Sequence, residues 1–355
     1  MRAPARFKND QSRRLRGHEL HKLLTTQLFA KHHLARTRSS MNLENVLCQI
    51  NAYHCILHLP SFRAVVSSND HSGTLRCRAG RTATTPSPFD RAFLFGEGIY
   101  EVCLLVNGRF VDMDSHLARL DRSLAACGMT PPPERPQLER IINDLARRNG
   151  VTNGLAYLQV TPGATPRSFT AVPQDRATLF ILTQAQDFLS APHLSRGITV
   201  QVRPDIRWLH RDIKTIMLLP QVMAKRSALA NGFDDTIFVD EQGITEGSSS
   251  NIFIVTDAGT LVTRPLSDHL LAGCTRQRII TLARDAGMTV EERIITRDEL
   301  SRAPEVFATS ATYLVVPITR IDDHVVGDGG IGTVTRRLQD AYIAFIRALA
   351  ATGAP

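Results

Sequence analysis

Residues 212–220 read DIKTIMLLP, and Lys214 is the only charged residue between Ile213 and Pro220. An ammonium group prefers water, so this neighbourhood allows two readings. Either the stem is buried and the head reaches solvent, or burial lowers the basicity of the amine and leaves it a nucleophile toward an aldehyde. The residues downstream bear on the choice. Glu246 follows 32 positions later in GITEGSSSNIF (243–253), ahead of three serines, Asn251 and an apolar strand. That stretch reads as a turn with local side-chain caps, or as a carboxylate held to pair with a cationic ring nitrogen.

Working outward, GIYEVCLLVNGRFVDMD (98–114) has two apolar runs about Asn107-Gly108, a hairpin signal. DSHLARLDRSLAACG (114–128) sets Leu117, Leu120 and Leu124 on one helical face, with Gly128 as a stop. Arg119 on this helix is either an exposed arginine or a bidentate donor for a phosphate. A second helix follows in QLERIINDLARRNG (137–150), and LAYLQV, ATLFILT and ITVQVR read as strands. Periodicity lapses over 184–196, where we place a linker between two domains, 89–188 and 193–352. A helix over 218–231, the strands TIFVD and NIFIV, a helix after GCTRQRII, strands near EVFATS and YLVVPIT, and a closing helix over 331–350 complete the pattern. This is a mixed α/β chain without the regular alternation of a doubly wound sheet. Thr275 stands where a helix would begin, a natural seat for a phosphate. ATSAT (308–312) adds Ser310 and Thr312 as hydroxyl donors.

Composition narrows the class. The 355 residues suffice for two domains with sizeable cores. No apolar run is long enough to span a bilayer. The net charge of +8 is uneven: residues 1–88 hold 14 Lys+Arg against 4 Asp+Glu, and the remainder holds 28 against 30. The basic pI therefore belongs to the front end, which reads as an extension of doubtful order, a wrongly assigned start, or a targeting or nucleic-acid-binding arm. The cysteines at 48, 55, 77, 103, 127 and 274 form no CxxC pair, which implies reduced thiols in a cytoplasmic protein and no metal site.

An amine, a carboxylate for a ring nitrogen and a seat for one phosphate are together what pyridoxal 5'-phosphate requires. From FDRAFLFGEGIYEV (89–102) to the final helix the chain resembles the class IV (fold type IV) pyridoxal-phosphate aminotransferases, most nearly the D-amino acid group. DIRWLHRDIKTIMLL (205–219) and TEGSSSNIF (245–253) carry the resemblance, with FGEGIYE (95–101) and GCTR (273–276) in support. It implies a two-domain fold with the cofactor between the domains. It implies Lys214 as the Schiff-base lysine and proton shuttle, and Glu246 as the partner of the pyridine nitrogen. Arg119, Thr275 with the backbone at Cys274, and Ser310 and Ala311 correspond to the phosphate cradle, and Leu271 to the residue packed on the ring. Tyr100 and Arg167 correspond to the substrate-carboxylate trap, the arginine reaching in from the neighbouring subunit of a homodimer. Phe169 stands where the D-specific pattern has a histidine, leaving that trap one donor short. Ala311 replaces a hydroxyl residue and Glu97 an aspartate. The strand pair the family has ahead of FDRAF is not visible in GTLRCRAGRTATTPSPF (73–89).

The resemblance implies transamination of D-amino acids such as D-alanine, with 2-oxoglutarate accepting the amino group as D-glutamate. Its rivals are a branched-chain L-amino acid aminotransferase, an aminodeoxychorismate lyase, and a nucleic-acid-binding module built on the basic front end.

Overall fold

In the computed structural model, which describes residues 55–59, 62–69, 86–129, 133–170 and 177–351, two sheets carry the chain. The first contains β1 (Cys55–Leu59), β2 (Phe62–Asn69), β3 (Ile99–Val106), β4 (Arg109–Phe110), β5 (Gly154–Thr161) and β6 (Ala177–Ala185), in the order β1-β2-β6-β5-β3-β4. Pairing is antiparallel except between β2 and β6. The hairpin expected at Asn107-Gly108 joins β3 to β4. Both residues have positive φ, 46° and 76°, the mirror-image turn whose twist suits adjoining strands.

The sheet begins ahead of Phe89, inside the stretch read from sequence as an extension. The strand pair missed in 73–89 lies upstream, at 55–69. Its recognition depends on an eight-residue parallel pairing of β2 with β6, more than a hundred positions away, which no local pattern announces. The targeting and nucleic-acid-binding readings of residues 1–54 and 70–85 fall outside the described residues.

Ahead of β3 comes a short helix, α1 (Arg91–Phe95), capped by Asp90, whose carboxylate accepts from the Ala92 N–H and from the Thr161 and Thr178 hydroxyls. Two amphipathic helices, α2 (Met113–Ala126) and α3 (Arg135–Arg148), cover one sheet face. Leu117, Leu120 and Leu124 of α2 meet Leu138, Ile142 and Leu145 of α3 over Ile99, Cys103 and Leu105 of β3. Alternation along β3 sends Leu104 and Val106 to the opposite face, into a core shared with the second sheet.

The second sheet contains β7 (Ile198–Pro204), β8 (Asp235–Val239), β9 (Ile244–Gly247), β10 (Asn251–Val255), β11 (Leu261–Thr263), β12 (Val290–Glu292), β13 (Glu305–Ser310) and β14 (Leu314–Ile321), ordered β12-β11-β10-β13-β14-β7-β8-β9, with β15 (His324–Val325) paired to β14. The strands β8 and β10 are buried throughout. The turn after β9 closes with Gly247 donating to the Ser250 carbonyl at 2.6 Å, so the sheet curls and brings β9 beside β10. Helices α4 (His193–Arg196), α5 (Leu219–Ala230), α6 (Cys274–Asp285), α7 (Arg297–Arg302) and α8 (Thr333–Ala351) complete the fold. α6 and α8 bury Ile279, Ile280, Leu338 and Ile346 with Phe253 and Phe307 of the sheet.

Phe253 and Phe307 stack at 4.9 Å with their rings nearly parallel, and neither is exposed. Truncating Phe307 to Ala is expected to cost about 3–5 kcal/mol. The readout is a lower urea midpoint with an unchanged denaturant slope; a loss under ~1 kcal/mol would mean the core has no such dependence on this pair.

Candidate active site

The segment DIKTIML between β7 and α5 is neither helix nor strand by itself. It lies along β3 as a partner: Tyr100 donates to the Lys214 carbonyl at 3.0 Å, Ile216 donates to the Gly98 carbonyl at 3.0 Å, and Thr215 bridges Ile99. The Lys214 N–H reaches the Ser123 hydroxyl of α2 at 3.2 Å. Ile213 packs on the first core and Thr215 is buried, which accounts for the uncharged run. Lys214 itself is half-buried. Its Nζ sits 4.3 Å from the Tyr100 ring centroid, an aromatic face that attracts a cation. Tyr100 in turn stacks on Tyr157 at 5.6 Å.

Lys214 opens onto a cavity of about 310 Å³. Tyr100, Arg119, Lys214, Glu246, Leu271, Cys274, Thr275, Ser310 and Ala311 all line it, so the structure brings these sequence-selected residues together. Arg167 and Phe169 are not among its walls. Both are exposed, Phe169 by 82%, and they lie against Phe95 of α1. Arg91 ties their loop down through the Ser168 carbonyl at 2.8 Å.

Glu246, on β9 and 5% exposed, is held from several sides. Arg207 Nη1 donates to one carboxylate oxygen, and the Leu271 N–H donates to the other at 3.1 Å. Arg207 also binds Asp205 through Nε at 2.9 Å and Nη2 at 2.6 Å, and covers the Phe238 ring. Asn251 braces the Leu271 carbonyl at 2.9 Å. A Cβ on Gly273 would meet the Asn251 Oδ1 at 2.0 Å, so only glycine allows this close approach before α6.

Arg119 is buried, not exposed. Its Nε and Nη2 grip both oxygens of Glu101 at 2.7 Å, and Nη1 donates to the Ala272 carbonyl at 2.9 Å. His116 joins through Nδ1, 2.8 Å from Glu101, and also interacts with the Cys274 thiol. Burial alone would raise the Glu101 pKa, but Arg119 and His116 hold it well below the usual carboxylate range. Burial disfavours a charged imidazole as well; the Cys274 and Glu101 hydrogen bonds outweigh it and push His116 up to about 9. Thr309 beside them is 1% exposed, and its Oγ1 has no hydrogen-bond partner.

Sequence reasoning missed Glu101, His116, Arg207 and Thr309. An acid on the core-facing side of β3 demands a cation, and His116 with Arg119 at i and i+3 on α2 supplies that signal. Nothing local pairs Arg207 with Glu246.

Residues 98–321 match the model of the class IV aminotransferases, and the chain belongs to that family. It is similar to a D-alanine aminotransferase from Bacillus licheniformis, 34% identical over 71% of this chain and 88% of the relative. Among solved structures it resembles the branched-chain aminotransferase of the thermophilic archaeon Thermoproteus uzoniensis with norvaline, at TM-score 0.68 and 26% identity over 77% of this chain and 94% of that one. A branched-chain amino acid aminotransferase from T.th., solved with pyridoxamine 5'-phosphate, matches at TM-score 0.69 and 25% identity over 79% of this chain and 92% of its own. The chain is thus a pyridoxal-phosphate-dependent aminotransferase of fold type IV. The walls fit that cofactor: the unpartnered Thr309 hydroxyl and the glycine-tight start of α6 suit an anion, and an amine and a carboxylate face the same space.

His116 yields a pH test. Its folded pKa of about 9 lies above the unfolded value of 6.5. Its contribution to stability is therefore complete below pH 6.5 and is lost as pH rises through 9, about 3 kcal/mol in all. Urea unfolding at about pH 6 and about pH 10 should register that loss, and a His116→Asn variant should lack it. Equal losses in both proteins would sink the assignment.

Proposed function

We propose that this enzyme transaminates D-amino acids such as D-alanine, passing the amino group to 2-oxoglutarate to leave a 2-oxo acid and D-glutamate. One observation carries the reading: the Lys214 amine, the Glu246 carboxylate and the start of α6 face one cavity. Bound pyridoxal phosphate supplies an aldehyde that links to amines and a ring that withdraws electrons. Everything else falls to the chain. Lys214 holds the cofactor and, once displaced by substrate, takes the proton from the substrate Cα and returns it one atom further along. Glu246, kept in place by Arg207, would hold a proton at the ring nitrogen, and Leu271 would pack on the ring. The N–H groups at Cys274 and Thr275, the hydroxyls of Ser310 and Thr309, the backbone at Ala311 and the N–H that Arg119 Nη1 still has free would hold the cofactor's phosphate. Guanidinium has five donors and Glu101 with Ala272 accounts for three, so Arg119 both braces and binds.

Tyr100 is the near half of the carboxylate trap. Arg167 is assigned to a neighbouring subunit's cavity, so the enzyme works as a homodimer. Its exposure outside its own cavity supports this, as do the exposed side chains of Phe93, Phe169, Leu219 and Met223, which a second copy would cover. We place the enzyme in the cytoplasm, with two domains, 89–188 and 193–352. Among the described residues no helix is long and apolar enough to cross a membrane. Branched-chain L-amino acids are the second reading, favoured by the apolar walls Val102, Leu155 and Leu218.

Borohydride reduction followed by peptide mass mapping should place the cofactor adduct on Lys214. Lys214→Ala should lower D-alanine turnover by about a thousandfold or more. Retention of normal rates would end the proposal, and faster turnover of L-leucine than of D-alanine would select the second reading.

A further inference from the structure

The turn between β13 and β14, where Ser310 and Ala311 line the cavity, is pinned from behind by a carboxylate that does not line it. Asp235 of β8 is 2% exposed, and its two oxygens serve different elements. Oδ1 accepts from the Ser248 hydroxyl at 2.5 Å and from the Thr236 N–H at 2.8 Å. Oδ2 accepts from the Tyr313 hydroxyl at 2.8 Å, with Lys225 Nζ of α5 at 3.0 Å to balance the charge. Lys225 also donates to the Tyr313 oxygen at 2.6 Å. Asp235 thus joins three pieces of chain: the serine turn after Glu246, the helix after Lys214, and the turn of Ser310. Burial, reinforced by Asp235, pushes the Tyr313 phenol well above its usual range, so it stays protonated and gives its hydrogen to the carboxylate. The Tyr313 N–H in turn donates to the Ser310 hydroxyl oxygen at 3.0 Å. A hydroxyl has one hydrogen and two lone pairs. With a lone pair taken by Tyr313, Ser310 keeps its hydrogen for another acceptor. The turn is held, not relaxed: the next residue, Leu314, has a φ of 58°, a left-handed conformation that a leucine keeps only under tertiary constraint.

We propose that Asp235 is a positioning residue for the cofactor's phosphate seat, acting through Tyr313 to hold Ser310 as a hydrogen donor to the phosphate. The inference rests on the phosphate placement in the proposed function and deepens it. Asp235 itself does not touch the occupant. Ser248 and Thr236 engage Oδ1, which fixes the carboxylate and leaves Oδ2 for the phenol. The phenol then sets where the Tyr313 main chain lies, and that N–H decides how the Ser310 hydroxyl is used. Without the phenol hydroxyl, the Tyr313 N–H is free to shift and the Ser310 hydrogen to turn from the seat. The cost falls on a ligand that carries a phosphate, and not on one that meets only Lys214 and Glu246.

The test measures binding to the cofactor-free full-length chain by equilibrium dialysis. Three probes are compared: pyridoxal phosphate, pyridoxal, which lacks the phosphate, and inorganic phosphate. Tyr313→Phe keeps the ring and removes the hydroxyl. It is expected to weaken pyridoxal phosphate and inorganic phosphate about tenfold and pyridoxal less than about twofold, the scale of one hydrogen bond to a charged group. Ser310→Ala should do the same, and the double variant should be no weaker than Ser310→Ala alone, because Tyr313 acts through that hydroxyl. Asp235→Leu should show the same preference; its urea midpoint tells whether it folds, and Tyr313→Phe decides alone if it does not. Equal weakening of pyridoxal phosphate and pyridoxal, the mark of a merely structural role, overturns the proposal. So do unchanged binding in Tyr313→Phe or in a folded Asp235→Leu, and losses that add in the double variant. A borohydride adduct on Lys214 in the loaded wild-type chain scores the transaminase reading separately. Adduct with the phosphate preference unmoved by Tyr313→Phe sinks only the positioning role; a phosphate preference lost in Tyr313→Phe, with no adduct in the wild type, sinks only the transaminase.

Discussion

A backbone pairing between two distant pieces of chain governs the site. The segment carrying Lys214 leaves the second sheet after β7 and docks on β3 of the first through Tyr100 and Ile216. Without that docking the lysine would sit on a free loop, and its amine would have no fixed place. With it, the residue that makes the bond to the lysine carbonyl, Tyr100, also puts its ring under the ammonium. Main chain and side chain of one residue thus fix both ends of the lysine. The order gained is local, but it depends on two sheets being held together by the core that Leu104, Val106, Phe253 and Phe307 share.

Two buried ion clusters flank this amine. Asp205, Arg207 and Glu246 form one; Glu101, His116 and Arg119 form the other. Burying charge costs more than an isolated pair returns, so such clusters are poor sources of stability by themselves. Their hydrogen bonds are instead nearly saturated, which fixes orientation. Arg207 cannot leave Glu246 without stranding Asp205, and Arg119 cannot leave Glu101 without stranding His116. A carboxylate pinned in this way presents a fixed charge to whatever enters, with little reorganisation needed.

Much of this was legible because it is periodic or spaced. The leucines of α2 and the Asn107-Gly108 turn each carry a local rule that the structure obeys. The cavity residues between Lys214 and Thr275 could be chosen because three chemical types required by one cofactor recur in order. What stayed hidden depends on contacts across the sheets. The β1–β2 pair shows itself only through its parallel partner β6, and Arg207 is matched to Glu246 only once β7 and β9 are placed. Arg119 was chosen as a phosphate donor, yet the structure turns two of its donors to Glu101, an acid no sequence rule singled out, and a third to the Ala272 carbonyl. The one role is not lost to the other, because the guanidinium has donors for both.

The exposed loop of Arg167 and Phe169 follows from the same logic of saturation. Inside its own cavity every wall cation already has an anion or a ring to meet: Arg207 has Glu246, Arg211 has Asp205, Arg119 has Glu101, and Lys214 has Tyr100. A carboxylate-bearing substrate therefore finds little spare positive charge on these walls. Arg167 is exposed on a loop that Arg91 hydrogen-bonds through the Ser168 carbonyl, resting on Phe95 beside Phe169. The guanidinium is therefore an exposed charge on the outer surface, packed on the half-buried ring of Phe95 and separated from the cavity walls. Phe169, where the resembled pattern has a histidine, offers no side-chain donor, and its ring packs on Phe95 at 5.2 Å instead of lining the cavity, so within this chain saturation of the wall charges is not relieved from that loop.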